Sequence, residues 1–404
     1  MDQKLSRRGF LRGALALAGA GIAVGSVEAA RKGWDLYEQH QTWAEASRPN
    51  AEFLARNARD LSRLRLGASF APEQWRLNDR GDRDARAALD LVTNELQLRQ
   101  LRLGIRWDRA VDARGQVDLR AYAPFLDYCL QQHVEVCLNI GPIKTFRWPE
   151  EHVPVSILNS VPLPPQEAIV YLEDPLARSA LAYLERLLVG LRRDYGAGLA
   201  TIQVENEPFY PQGRHQWRLS PAYLLEATER VDDVFPEAGI LVTSAGRLHL
   251  RDVRDLFLRL LALRHSFDGR LVSGFDFHYK TPLRDSVPVI RHFDQIAYAR
   301  PFAPTTEANI RDARDVGYRI EVTEGQAEPY GHFTQPGNSA REFRYLLLRC
   351  LNKVLGRDGP ALLRIWGVEE LAKRLMRGQA TDEHRQIVEL IQAVNSQPEE
   401  GASL

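Results

Sequence analysis

Two glutamates stand where alternating apolar segments end: Glu207 in Ile202-Gln203-Val204-Glu205-Asn206-Glu207-Pro208, and Glu324 in Ile320-Glu321-Val322-Thr323-Glu324-Gly325. Two carboxyl groups converging from different strands can divide the work of breaking a glycosidic bond. One protonates the leaving oxygen while the other attacks or activates water. Glu328, in Gln326-Ala327-Glu328-Pro329, rivals Glu324 as the attacking group but is set beyond the strand. Glu205 shares the parity of Glu207 one layer deeper, which suits a structural partner for an arginine. Among the 10 histidines there is no His-x-His, no His-Glu-x-x-His and no clustered pair with ligand spacing, so no metal is expected. The absence of a Gly-x-Ser-x-Gly elbow disfavours an esterase.

Those glutamates need a frame that brings them together. In a chain of 404 residues, eight segments read as strands: 63–70, 100–107, 134–141, 201–207, 239–245, 271–279, 318–324 and 361–367. Amphipathic helical patterns fall between them. Ala88, Leu89, Val92 and Leu96 form one stripe over 85–98; Leu181, Leu184, Leu188 and Leu191 form another over 179–192; Phe343, Leu347, Cys350 and Val354 a third over 340–355. Eight strands alternating with helices predict a single (β/α)8 barrel of the TIM type over 63–397, preceded by a helical extension over 31–62. No Gly-rich loop follows the first strand, which argues against a doubly wound nucleotide-binding sheet, and no cofactor is expected. Several strands keep one parity apolar and the other polar, as in Leu101, Leu103 and Ile105 against Arg102, Gly104 and Arg106. Helices must cover the apolar parity, so the polar parity faces a lumen where Arg and Glu are tolerable only as pairs.

Composition narrows the partners. Apolar residues make up 44% and charged residues 26%, with Lys plus Arg (53) equal to Asp plus Glu (53), so no net field favours nucleic acid or an anionic membrane. The N-terminus has its own pattern: Ser6-Arg7-Arg8-Gly9-Phe10-Leu11 precedes an Ala/Gly-rich apolar run from Ala14 to Val24, then Val27-Glu28-Ala29. This resembles a bacterial twin-arginine export signal over 1–30, implying the export machinery as a partner and a periplasmic or secreted location. The run is too short for a stable membrane span, although an uncleaved signal would act as a weak anchor. Cys129, Cys137 and Cys350 are an odd set; Cys137 and Cys350 read as packed thiols.

In a barrel of this kind the site lies at the C-terminal ends of the strands. Those ends carry Arg106-Trp107, Asn206-Glu207-Pro208, His278-Tyr279, Thr323-Glu324 and Trp366-Gly367. Together they resemble the retaining glycoside hydrolases of the large TIM-barrel clan that includes cellulases, mannanases and β-galactosidases. The likeness spans roughly residues 60–380 but resides in scattered motifs. It implies Glu207 as general acid and then base, with a raised pKa, and Glu324 as an ionised nucleophile beside a donor such as Tyr279 or Arg106. It also implies Asn206 on the sugar hydroxyl next to the reacting carbon, and Trp366 as a stacking platform. Trp148 would serve an outer subsite, and His278 would bind a hydroxyl or orient Glu207. Two features depart from the clan: His278 and Tyr279 are adjacent, and Glu369 and Glu370 follow strand eight. The implied substrate is a carbohydrate; the alternative is a non-catalytic carbohydrate-binding or cell-envelope scaffold using the same pocket.

Overall fold

Alternating strands that turn one apolar edge to a layer of helices leave their other edge to fill the space they enclose. The computed structural model describes residues 41–73, 82–147, 151–211, 213–244, 250–263, 270–277, 319–326, 339–351 and 361–397. Eight barrel strands occur among them: β1 Leu64–Ser69, β2 Gln100–Gly104, β3 Glu135–Asn139, β4 Thr201–Gln203, β5 Gly239–Ser244, β6 Leu271–Phe277, β7 Arg319–Gln326 and β8 Ala361–Trp366. Each pairs in parallel with its sequence neighbours, and β8 closes on β1, giving the expected (β/α)8 barrel. A separate two-stranded parallel pairing joins Ile169–Val170 to Arg218–Leu219.

The parity rule holds through most of the barrel. Leu66, Leu101, Leu103, Val136, Leu138, Ile202, Ile240, Val242, Leu363 and Ile365 join Leu89, Leu184, Leu188, Leu224, Phe257 and Leu347 of the helices in one buried core. Each fully buried aliphatic side chain of this kind contributes about 1.5–3 kcal/mol. Inside, Cys137, Leu241 and Val272 form a small apolar cluster, and Arg364 pairs with Glu321. All three cysteines are buried and free.

Three elements differ from the sequence pattern. The stripe over 85–98 is an α-helix only over Asp82–Asp90, then a π turn over Leu91–Glu95. The Thr93 hydroxyl donates to the Leu89 carbonyl at 3.0 Å, competing with the helix ladder there. β4 stops at Gln203, four residues before the expected end at Glu207. β7 carries a bulge: Phe275 pairs with Val322, but the next residue, Asp276, pairs with Glu324.

Within the described part of the extension, residues 41–46 and Asn50–Leu61 are helical, interrupted around Pro49. It is fastened to the last helices of the barrel. Arg344 donates to the Ala46 carbonyl at 2.8 Å, and Asn50 donates to the Gln386 carbonyl at 2.9 Å. Trp43 meets Tyr345 edge to face at 5.3 Å. The signal-like segment 1–30 lies outside the described residues. Among the described residues no helix is long and apolar enough to cross a membrane.

Candidate active site

The segment after β4 turns away from strand geometry. Glu205 (φ 60°) and Glu207 (φ 41°) both adopt left-handed backbone, which costs a residue bearing a Cβ about 1–2 kcal/mol. Neighbouring groups hold the segment in this path. The Asn206 amide donates to the Lys144 carbonyl at 2.8 Å, and the Glu207 amide donates to Thr243 Oγ1 at 2.8 Å. The turn brings Asn206 and Glu207, 1% and 7% exposed, to the C-terminal end of the barrel.

Glu324 reaches the same place by a different device. Its parity matches Ile320 and Val322, which face the helices, so a regular β7 would turn it outward. The bulge inserts one residue and re-aims the side chains beyond it. As a result Glu324 Oε1 accepts a 2.6 Å bond from Arg102 Nη1 inside the barrel. Arg102, fully buried, is the hub of the site. Its Nε donates to Gln203 Oε1 at 2.6 Å and its Nη2 to Asn206 Oδ1 at 2.5 Å, and Phe146 lies 4.3 Å from its Cζ.

These contacts also settle which way the Asn206 amide points. A guanidinium only donates, so the atom facing Arg102 must be the amide oxygen. Gln203 Nε2 at 3.1 Å and Thr243 Oγ1 at 3.3 Å donate to the same oxygen. Asn206 Nδ2 is thereby left as a donor that bonds no described residue.

Arg106, expected beside Glu324, stands two inward positions beyond Arg102, past the end of β2, and belongs to another cluster. Its Nε is 3.8 Å from Glu73 Oε1, while Tyr122 Oη donates to that oxygen at 2.5 Å and accepts from the Arg106 amide at 3.0 Å. Arg106 Nη2 meets no partner among the described residues. Burial, and then the Arg106 charge, push His152 down to about 3, so this ring is neutral.

Trp366 is 6% exposed, with the Arg147 guanidinium 3.7 Å over its ring and Phe146 against it edge-on at 6.1 Å. The face under Arg147 is therefore not open to a sugar. Arg147 pairs with Glu369, whose other oxygen accepts from the Ala71 amide at 2.6 Å. Glu369 thus ties the loop after β3 to the loop after β1, and Glu370 instead accepts from Arg374 along its own helix at 3.0 Å. Trp217 is buried, stacked on His215 at 4.2 Å. His278, Tyr279, Trp148 and Glu328 lie outside the described residues.

Glu205 has no arginine partner among the described residues. Its Oε1 accepts from Tyr223 Oη at 2.7 Å and from the Ile143 amide at 3.3 Å, and its Oε2 from the Lys144 amide at 2.5 Å. Burial nonetheless pushes its carboxyl up to about 7, outweighing these donors. The sequence pattern puts Arg102 in the lumen and Lys144 and Arg147 after the third strand without a role for any of them, and carries no signal for Phe146. Among the described residues no group of three or more His, Cys, Asp or Glu side chains is placed to hold a metal ion.

No family model and no curated protein matches the sequence. Several solved structures resemble the fold. An intracellular xylanase from Thermoanaerobacterium saccharolyticum is 13% identical, with a TM-score of 0.44, over 76% of this chain and 86% of its own. A glycoside hydrolase of family 10 from Paenibacillus barcinonensis is 15% identical, with a TM-score of 0.47, over 77% and 86%. Endo-glycoceramidase II from Rhodococcus sp. is 15% identical, with a TM-score of 0.44, over 75% and 73%. Likeness at this level says nothing of the chemistry of this chain.

Proposed function

We propose that the protein is a retaining glycoside hydrolase that cleaves a β-linked O-glycosidic bond by double displacement. The observation that carries this reading is the single guanidinium of Arg102, which bonds the Glu324 carboxylate and the amide of Asn206, the residue next to Glu207. Arg102 thereby ties the Glu324 carboxylate to the segment that carries Glu207, at the end of the barrel where such sites are built.

In the first step Glu324 attacks the anomeric carbon while Glu207 donates its proton to the departing oxygen, leaving a glycosyl ester on Glu324 and a free alcohol. In the second, Glu207 takes a proton from water as that water displaces the ester, restoring both carboxyl groups and the original anomeric configuration. Arg102 offers Glu324 a positive charge and a directed hydrogen bond. Asn206 Nδ2 is the donor available to the hydroxyl beside the anomeric carbon, a contact that strengthens as positive charge develops there. Residues 1–30 are proposed to carry the protein through the twin-arginine route to the periplasm or beyond.

Aryl β-glycosides test the roles. Glu207→Ala is expected to lose hydrolysis of poor leaving groups but keep glycosyl transfer from activated ones. Glu324→Ala is expected to lose both, and to be partly restored by azide with inversion. A Glu207→Ala protein that matches wild type on both substrate types refutes the assignment. A wild-type protein that binds sugars without turnover favours the scaffold alternative.

A further inference from the structure

The loop after β3 contains a lysine with no solvent exposure, Lys144, that touches the segment 205–210 at four points. Its amide donates to Glu205 Oε2 at 2.5 Å, and its carbonyl accepts from the Asn206 amide at 2.8 Å. Its Nζ donates to the carbonyls of Glu207 at 3.2 Å and Tyr210 at 2.5 Å. Glu205, equally sealed, is held from its other side by Tyr223 of the helix Pro221–Val234. The backbones meet so closely that a Cβ on Gly141 would lie 2.4 Å from Glu205 Cα and 2.3 Å from the Lys144 carbonyl oxygen.

Burying two ionisable groups is a poor way to gain stability, because well-packed apolar side chains in their place are often neutral or better. What these two supply is a fixed position. Without them, nothing in the local preferences of Glu205 and Glu207 favours left-handed backbone at both residues.

We propose that Glu205 and Lys144 are positioning residues for proton delivery: Glu205 fixes the loop, and through Lys144 it fixes the backbone of Glu207. This rests on Glu207 acting as the general acid. Tyr223 completes the bracket as the donor that keeps the Glu205 carboxyl turned toward the loop. Glu205→Gln retains the shape but turns an amide NH2 toward the backbone amide of Ile143 or Lys144, which can only donate, and offers the other a weaker acceptor.

The test is kcat/KM for wild type, Glu205→Gln, Tyr223→Phe and Glu207→Gln across aryl glycosides whose phenols span a wide range of acidity, with folding checked by circular dichroism. Protonation matters only for poor leaving groups, so a misplaced acid has a signature that general loosening lacks. Glu205→Gln is expected to fall roughly a hundredfold on the phenyl glycoside but less than about threefold on the dinitrophenyl glycoside. Tyr223→Phe is expected to show the same slope with a smaller loss, and supplies the answer if Glu205→Gln fails to fold. Equal losses on every leaving group, or no loss, overturn the positioning role. If only Glu207→Gln shows the slope, this proposal fails and the glycosidase reading stands; if wild type turns over no glycoside, both fail.

Discussion

Replacing Arg102 by methionine tests the hub of the site. The side chain is fully buried and Glu324 nearly so, at 0% and 6% side-chain exposure. Methionine fills much of the same volume but removes the cation from Glu324 and the donors from Gln203 and Asn206. Breaking a buried pair by removing one member costs about 3–5 kcal/mol, since the other charge stays buried. At about 2.1 cal/mol/K of unfolding entropy per residue, that lowers Tm by roughly 5 °C for a chain of this length. The double variant Arg102→Met/Glu324→Gln no longer buries that charge, so it is expected to be more stable than Arg102→Met alone. Arg102→Lys keeps the charge but loses the planar fork that serves Glu324, Gln203 and Asn206 together, and is expected to fall between wild type and Arg102→Met. Thermal and urea unfolding followed by circular dichroism measures all four proteins. A shift below about 1 °C for Arg102→Met, or a double variant less stable than the single one, would show that Arg102 does not offset a buried charge on Glu324.

Three further outcomes are expected from the same geometry. Asn206→Ala is expected to lose about a hundredfold or more in kcat/KM on ordinary glycosides and little on 2-deoxy analogues, because the contact at stake goes to the 2-hydroxyl; steady-state kinetics on matched pairs checks this. His152 is held neutral down to about 3, so between about 6.5 and 3 the unfolded chain binds a proton that the folded chain refuses. Its contribution to stability is complete above the unfolded pKa and is lost as pH falls, and urea midpoints at pH 7 and pH 4.5 should converge in His152→Asn relative to wild type. Gly141→Ala places a methyl group against the Lys144 carbonyl and the Glu205 backbone, and is expected to lower Tm measurably and to cut activity on poor leaving groups.

The barrel was legible because its strands repeat one signal: apolar residues at every second position, with helical stripes between. Burial on the helix side is the force behind that signal, so the sequence displays it directly. The residues proposed for catalysis were read from the same segments, Asn206 and Glu207 just beyond β4 and Glu324 near the end of β7. What alternation does not encode is where it breaks. Glu324 has the parity of the helix-facing residues and turns inward only through the bulge in β7. Glu205 and Glu207 depart from the strand through left-handed backbone at glutamates, a conformation no local preference announces. Arg102 and Arg106 share one parity, so alternation places both inside but cannot rank their depth. The register that sets Arg102 beside Ser69 and Cys137 decides which of them meets Glu324. Lys144 and Arg147 lie in a loop whose course depends on partners distant in the chain, Glu205 and Glu369.

In the proposed mechanism Glu324 becomes covalently bonded to the sugar. The direct measurement is peptide mapping by mass spectrometry after inactivation with the 2-deoxy-2-fluoro form of whichever aryl glycoside the protein hydrolyses fastest. One fluoroglycosyl group per chain, attached at Glu324, is the predicted result. Attachment at Glu328 or Glu207 would contradict it, as would sustained hydrolysis with inversion and no adduct.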